Sequence, residues 1–207
     1  MFNKGARLGK LIQFLAEYHP KNEVALVMKG DIFDSLNEEK CGYIAIRRAV
    51  SMIDRISCDL AFRPVWDGLT SFAGKSRRHL ILVMGNHGLE LALPNTQFWI
   101  RKKIAAEDSA VLGRISFSAN GSGHACMVGD ARIFCSHGNE VDDWSVVDQE
   151  LLAKLSAAIN ADRFYPPSNY KPNAGTRLFG DVMNTIKQQY PFVDLLKPET
   201  VAVVPIL

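Results

Sequence analysis

Five consecutive apolar residues, Leu80-Ile81-Leu82-Val83-Met84, run directly into Gly85-Asn86-His87. A run of that length predicts a buried strand, and the glycine lets the chain turn sharply so that Asn86 and His87 enter a loop at the strand's carboxyl end. The same layout occurs twice more. Val24-Ala25-Leu26-Val27-Met28 leads into Gly30-Asp31-Ile32-Phe33-Asp34, and Ala131-Arg132-Ile133-Phe134-Cys135 leads into Ser136-His137-Gly138-Asn139. Three strands are thus expected to end in polar clusters of Asp, Asn and His.

Between these stretches the period is helical. Leu8, Leu11, Ile12 and Leu15 predict a helix from Ala6 to His19, stopped by Pro20. Glu23–Met28 is the first strand. Ile46, Val50 and Ile53 mark a helix over Gly42–Ser57, Pro64 interrupts, and Val65–Phe72 continues as another. Pro94 precedes a helix over Asn95–Ala106. From Val111 the pattern changes to short strands, Val111–Ser118, His124–Val128 and Ala131–Cys135, with Gly129-Asp130 as a hairpin turn. His137 therefore follows an antiparallel strand. Helices return over Val146–Ala161 and Thr176–Tyr190, separated by the Pro166-Pro167 loop, and Val201–Leu207 reads as a last strand. Strand–helix units followed by antiparallel strands predict a layered α/β fold with its site at strand ends. Residues 1–145 form the expected core, and 146–207 a helical extension or cap leading into the final strand.

Composition adds bounds rather than direction. The 207 residues suffice for one domain with a real core. Lys and Arg total 24 against 22 Asp and Glu, a net charge of +2, which offers no global attraction for nucleic acid or a membrane surface. The basic clusters Arg47-Arg48, Arg77-Arg78 and Arg101-Lys102-Lys103 are scattered, and the last reads as a solvated helix face. Cys41, Cys58, Cys126 and Cys135 have no CxxC spacing, so buried free thiols in a reducing compartment are expected. No apolar signal core follows Met1 and no run reaches membrane-spanning length, so a cytoplasmic protein is the default expectation.

The strand-end residues have the chemistry of a metal site. Asp, Asn and His bind hard and borderline divalent cations through oxygen and imidazole nitrogen, without selecting among manganese, iron, zinc and nickel. Asp31 supplies a carboxylate suited to bridging two cations, Asn86 an amide oxygen and His137 a ring nitrogen. Two such ions bring water within reach of ionisation near neutral pH and offset charge on a phosphoryl group. His87, beside one ligand, is a candidate proton donor to a leaving oxygen, and Asp34 a candidate partner for its other nitrogen. Singly, Asp31 and Asp34 read better as a turn or helix cap than as metal ligands, His87 as a loop histidine, and the segment around His137 as a turn. The coincidence of three such loops favours the site. Asp142-Asp143-Trp144 either line the cleft or cap and pack the next helix, with the second reading preferred; Arg177 and Tyr170 are weaker candidates.

In order, GDIFD, GNH and SHGN resemble the second, third and fourth motifs of the calcineurin-like metallophosphoesterases, over roughly Gly30 to Asn139. The resemblance implies a four-layer αββα sandwich with a dinuclear metal site. In it Asp31 is the bridging carboxylate, Asn86 and His137 are ligands of the second metal, His87 is the catalytic histidine and Asp34 orients it. It also implies a phosphorylated small-molecule or nucleotide-like substrate. Two motifs of the pattern, Asp-x-His before Gly30 and a late Gly-His-x-His, do not occur, and Gly123-His124-Ala125-Cys126 is no substitute. The expectation is therefore an incomplete core, cut at both ends, with little activity. Ser35 stands where phosphoprotein phosphatases carry arginine, Gly88 replaces an acidic residue, and Lys29 adjoins the metal carboxylate. A non-catalytic protein-interaction module that retains the fold is the alternative.

Overall fold

The computed structural model describes residues 4–37 and 43–195. It is a mixed α/β structure built on a parallel sheet of β1 (Val24–Gly30), β2 (Arg78–Met84) and β3 (Ile115–Ser118), in that order. Leu26 lies opposite Leu80, Gly30 opposite Met84, and Val83 opposite Ser118, so all three strands end on one edge. Helices α1 (Gly5–Glu17), α2 (Ala49–Cys58), α3 (Arg63–Gly74) and α4 (Pro94–Ala105) pack around it. Their apolar stripes explain why: Ile12, Ile53, Leu69, Phe72, Ile100 and Ile104 join Leu80, Leu82 and Leu93 in one core. Parallel strands need cover on both faces, and β2 has it.

Arg78 opens β2 and is only 1 % exposed. Its guanidinium donates to the carbonyls of Ala16 (3.1 Å), Tyr18 (2.6 Å) and Asn22 (2.9 Å), closing the carboxyl end of α1. The other basic clusters are likewise divided among local partners. Arg101 lies over Phe117, Arg47 over Phe164, and Lys102 pairs with Glu107.

Several elements differ from their sequence reading. The helix expected from Gly42 begins at Ala49 among the described residues, because the Ala45 N–H donates to the buried Glu90 carboxylate instead of a helical carbonyl. Pro64 does not interrupt a helix; it sits in the first turn of α3, where its missing N–H is no loss. The strand expected from Val111 starts at Ile115, since Asp108 caps a short helix, α5 (Ser109–Leu112), by accepting from the N–H groups of Ala110 and Val111. The α4–α5 crossover then returns β3 parallel to β2, not antiparallel.

The hairpin forms as expected. Strands β4 (His124–Val128) and β5 (Ala131–Cys135) pair antiparallel around Gly129-Asp130 as a separate two-stranded sheet. Helix α6 (Gln149–Asn160) is capped by Asp148, which accepts from the Leu151 N–H. The later helix begins at Ala174, as α7 (Ala174–Arg177), a π-helical turn over Leu178–Met183, and α8 (Asn184–Gln189). The expected strand Val201–Leu207 and Cys41 lie outside the described residues. Cys58, Cys126 and Cys135 are free, but Cys58 is exposed and the other two only half-buried, because α2 ends in solvent and the hairpin is thinly covered. Among the described residues no helix is long and apolar enough to cross a membrane.

Candidate functional site

Glycines allow the three loops to meet. Gly30 ends β1 with φ +95°, and a β-carbon there would lie 2.3 Å from His137 Nδ1. A β-carbon on Gly85 would lie 2.2 Å from Asp31 Oδ1. Two backbone turns without side chains thus make room for one imidazole and one carboxylate. Asp31 Oδ1 accepts the His87 N–H at 2.9 Å, and its Oδ2 lies 3.5 Å from His137 Nε2. The same Nε2 is 3.1 Å from Asn86 Oδ1. The loops after β1, β2 and β5 therefore bring Asp31, Asn86 and His137 to one point.

Among the described residues no group of three His, Cys, Asp or Glu side chains is arranged to hold a metal ion. The third donor here is the Asn86 amide. Two oxygens and one imidazole nitrogen, converging in the space that the glycines leave, suit a single borderline divalent cation. The second ion implied by the resemblance would share Asp31 and needs further ligands that these five residues do not supply.

His87 and Asp34 form a pair beside this point, with Nδ1 and Oδ1 3.6 Å apart. Burial lowers the ring's affinity for a proton, but the Asp34 carboxylate, aided by the charge of Asp31, outweighs it and raises the His87 pKa above its usual value; Lys187 opposes. The backbone is fixed as firmly as the ring. Ser35 donates to the His87 carbonyl through both its N–H (3.1 Å) and its hydroxyl (2.8 Å). Ser35 in place of arginine therefore locks the two loops together.

The other departures also have local reasons. A β-carbon on Gly88 would sit 2.5 Å from the Phe33 carbonyl oxygen, so an acidic side chain does not fit there. Lys29 is exposed on β1, whereas Gly30, which follows it, is buried. Asp142 serves a turn, accepting from the Trp144 N–H and the Ser145 hydroxyl, and does not cap the next helix, which has Asp148 as its cap. Trp144 is 59 % exposed. Tyr170 is buried, and its desolvated hydroxyl has a strongly raised pKa. Arg177 is exposed, near the Tyr43–Asp181 contact.

Sequence reasoning missed the cover over His87. Phe179, in the π-helical turn, places its ring 4.8 Å from the His87 ring, and the Lys187 ammonium lies 4.4 Å from the Phe179 centroid. The turn is tied down by the Tyr43 hydroxyl donating to Asp181 (2.9 and 3.1 Å) and by the Asn184 amide donating to the Leu36 carbonyl. Glu90 was also missed. It is 1 % exposed, burial raises its pKa, and it underlies the Asp34 loop. Partners 138 and 148 residues away leave no local signal.

Comparison with protein-family models, curated proteins and solved structures found no match for this chain.

Proposed function

We propose that this chain is a metal-dependent phosphoesterase domain of the αββα sandwich type, acting on a phosphomonoester or phosphodiester. One observation carries the reading: Asp31, Asn86 and His137 converge from three strand ends, with the His87–Asp34 pair beside them. Asp31, Asn86 and His137 would hold a divalent cation, which supplies Lewis acidity and lowers the pKa of water. His87, whose affinity for a proton Asp34 raises, donates its proton to the departing oxygen of the substrate. Asp34 and Ser35 hold that ring and its backbone in place. Phe179 shields the histidine from bulk water and narrows the approach to it. The cytoplasm is the compartment this reading favours.

Isothermal titration with Mn²⁺ tests the reading directly. Binding is expected, and His137→Ala should weaken it by about tenfold or more. Gly30→Ala should do likewise without deleting a donor, because its methyl would displace the imidazole. Hydrolysis of an aryl phosphodiester with Mn²⁺ should be slow, since Asp-x-His and Gly-His-x-His are absent from the sequence, and should fall about 10²–10⁴-fold in His87→Ala. Absence of both binding and turnover would overturn the proposal. The interaction-module reading would then lead, favoured by the exposed Met127, Val128 and Phe134 of the hairpin.

A further inference from the structure

A cavity of about 380 Å³ opens beside the carboxyl end of β3, between the 118–122 loop, the segment that follows the GNH loop, and α6. That volume lies at the lower end for small-molecule sites. Ser118 is opposite Val83, on the strand next to the one that ends in Gly85-Asn86. Neighbouring strands are about 4.8 Å apart, so the cavity lies on the same sheet edge as the candidate metal point.

No lining residue is charged. A phosphate, carboxylate or ammonium would find no counter-charge there. The polar lining is Gln97, Ser118, Asn120, Ser122, Gln149 and Ser156, and the apolar lining includes Phe117, Leu152 and Ala153. This mixture suits a flat heterocycle with apolar faces and a polar edge.

The hydrogen-bonding pattern narrows the edge. Ser118 donates its hydroxyl to the Gly123 carbonyl (2.6 Å), Ser156 to the Ala92 carbonyl (2.9 Å), and Gln97 its amide N–H to the Leu91 carbonyl (2.9 Å). These three groups still offer acceptor oxygen, and Asn120, whose Oδ1 accepts from the Ser122 N–H (3.2 Å) and hydroxyl (2.6 Å), offers its amide N–H to a ring nitrogen or carbonyl. Gln149 Oε1 is buried with no hydrogen-bond partner among the described residues. An orphaned buried acceptor is costly to the free protein and is relieved by a ligand N–H.

We infer that this cavity is a nucleobase subsite, selective for bases with an exocyclic amino group, placed so that the phosphate of the same nucleotide reaches the strand-end site. The link to phosphate rests on the phosphoesterase reading; the base site itself does not. Titration of the full chain with adenosine, guanosine, cytidine and uridine, followed by ligand-observed NMR, separates the two. At least one amino-bearing nucleoside should bind, and more tightly than uridine by about tenfold, the worth of one or two hydrogen bonds. Gln149→Leu should weaken that binding about tenfold while raising the thermal midpoint of the free protein. A purely structural Gln149 would lower the midpoint instead. Absence of nucleoside binding, equal binding of uridine, or unchanged binding in Gln149→Leu would each overturn the inference. Nucleoside binding without Mn²⁺ binding or phosphodiester hydrolysis would support the base site and sink only the phosphoesterase reading.

Discussion

The two sheets contribute to the same site under very different conditions. Leu80 through Met84 on β2 are each at most 5 % exposed, whereas Met127, Val128 and Phe134 on the hairpin are 62–64 % exposed. Asn86 thus hangs from a strand packed on both faces, and Asp31 from the half-buried edge strand paired to it. His137 leaves a thin two-stranded ribbon, and its position depends on its own contacts with Asn86 and Asp31 and on the space above Gly30. Isolated two-stranded hairpins are marginal in water. The candidate site is therefore firmest on the β2 side and most adjustable on the hairpin side, where His137 can close upon Asn86 and Asp31.

The contrast is most readily broken from the rigid side. Leu82→Ala should destabilise the chain by about 2–5 kcal/mol in urea denaturation, through lost burial and a residual cavity. Loss smaller than about 1 kcal/mol would mean that β2 is not the packed centre.

A smaller, pH-dependent effect should come from Glu90, buried in the same half. Its folded pKa is raised above the ordinary 4.5 by desolvation, so the native state holds its proton more tightly than the unfolded chain. Stability is then full below about pH 4 and falls as pH rises from the unfolded value towards the folded one. Glu90→Gln removes that slope and can keep an acceptor for the Ala45 N–H. Its thermal midpoint relative to the parent chain should be more favourable at about pH 7 than at about pH 4. An equal difference at both pH values would refute the assignment.

The least effect is expected on the hairpin. Phe134→Ala should change stability by no more than about 0.5 kcal/mol, because its ring is already mostly in water. A loss several times larger would show that a partner or another part of the chain covers this face in solution.

Much of this was legible locally. The apolar runs before Gly30, Gly85 and Ser136 located three strands, and the Gly129-Asp130 signal located the hairpin. Asp31, Asn86 and His137 were named from strand-end position and donor chemistry, and the fold brings them together. What failed was local competition. Asp108 turned Val111 into a helix, and Glu90 captured the Ala45 N–H that an earlier start of α2 would have used. Neither a side-chain cap nor a buried carboxylate changes the hydrophobic period, so period alone could not reveal them.

The sequence by itself determined the periods, the turns and the residue types at each strand end, because those depend on neighbours one to four positions away. Only the tertiary structure decided which ends meet. It closed 51 residues between Asn86 and His137 and 138 between Tyr43 and Asp181, turned β3 parallel to β2, and set Phe179 over His87. Those choices follow from burying one common core and satisfying the polar groups caught at its edge, and no short stretch of chain contains both sides of such a contact.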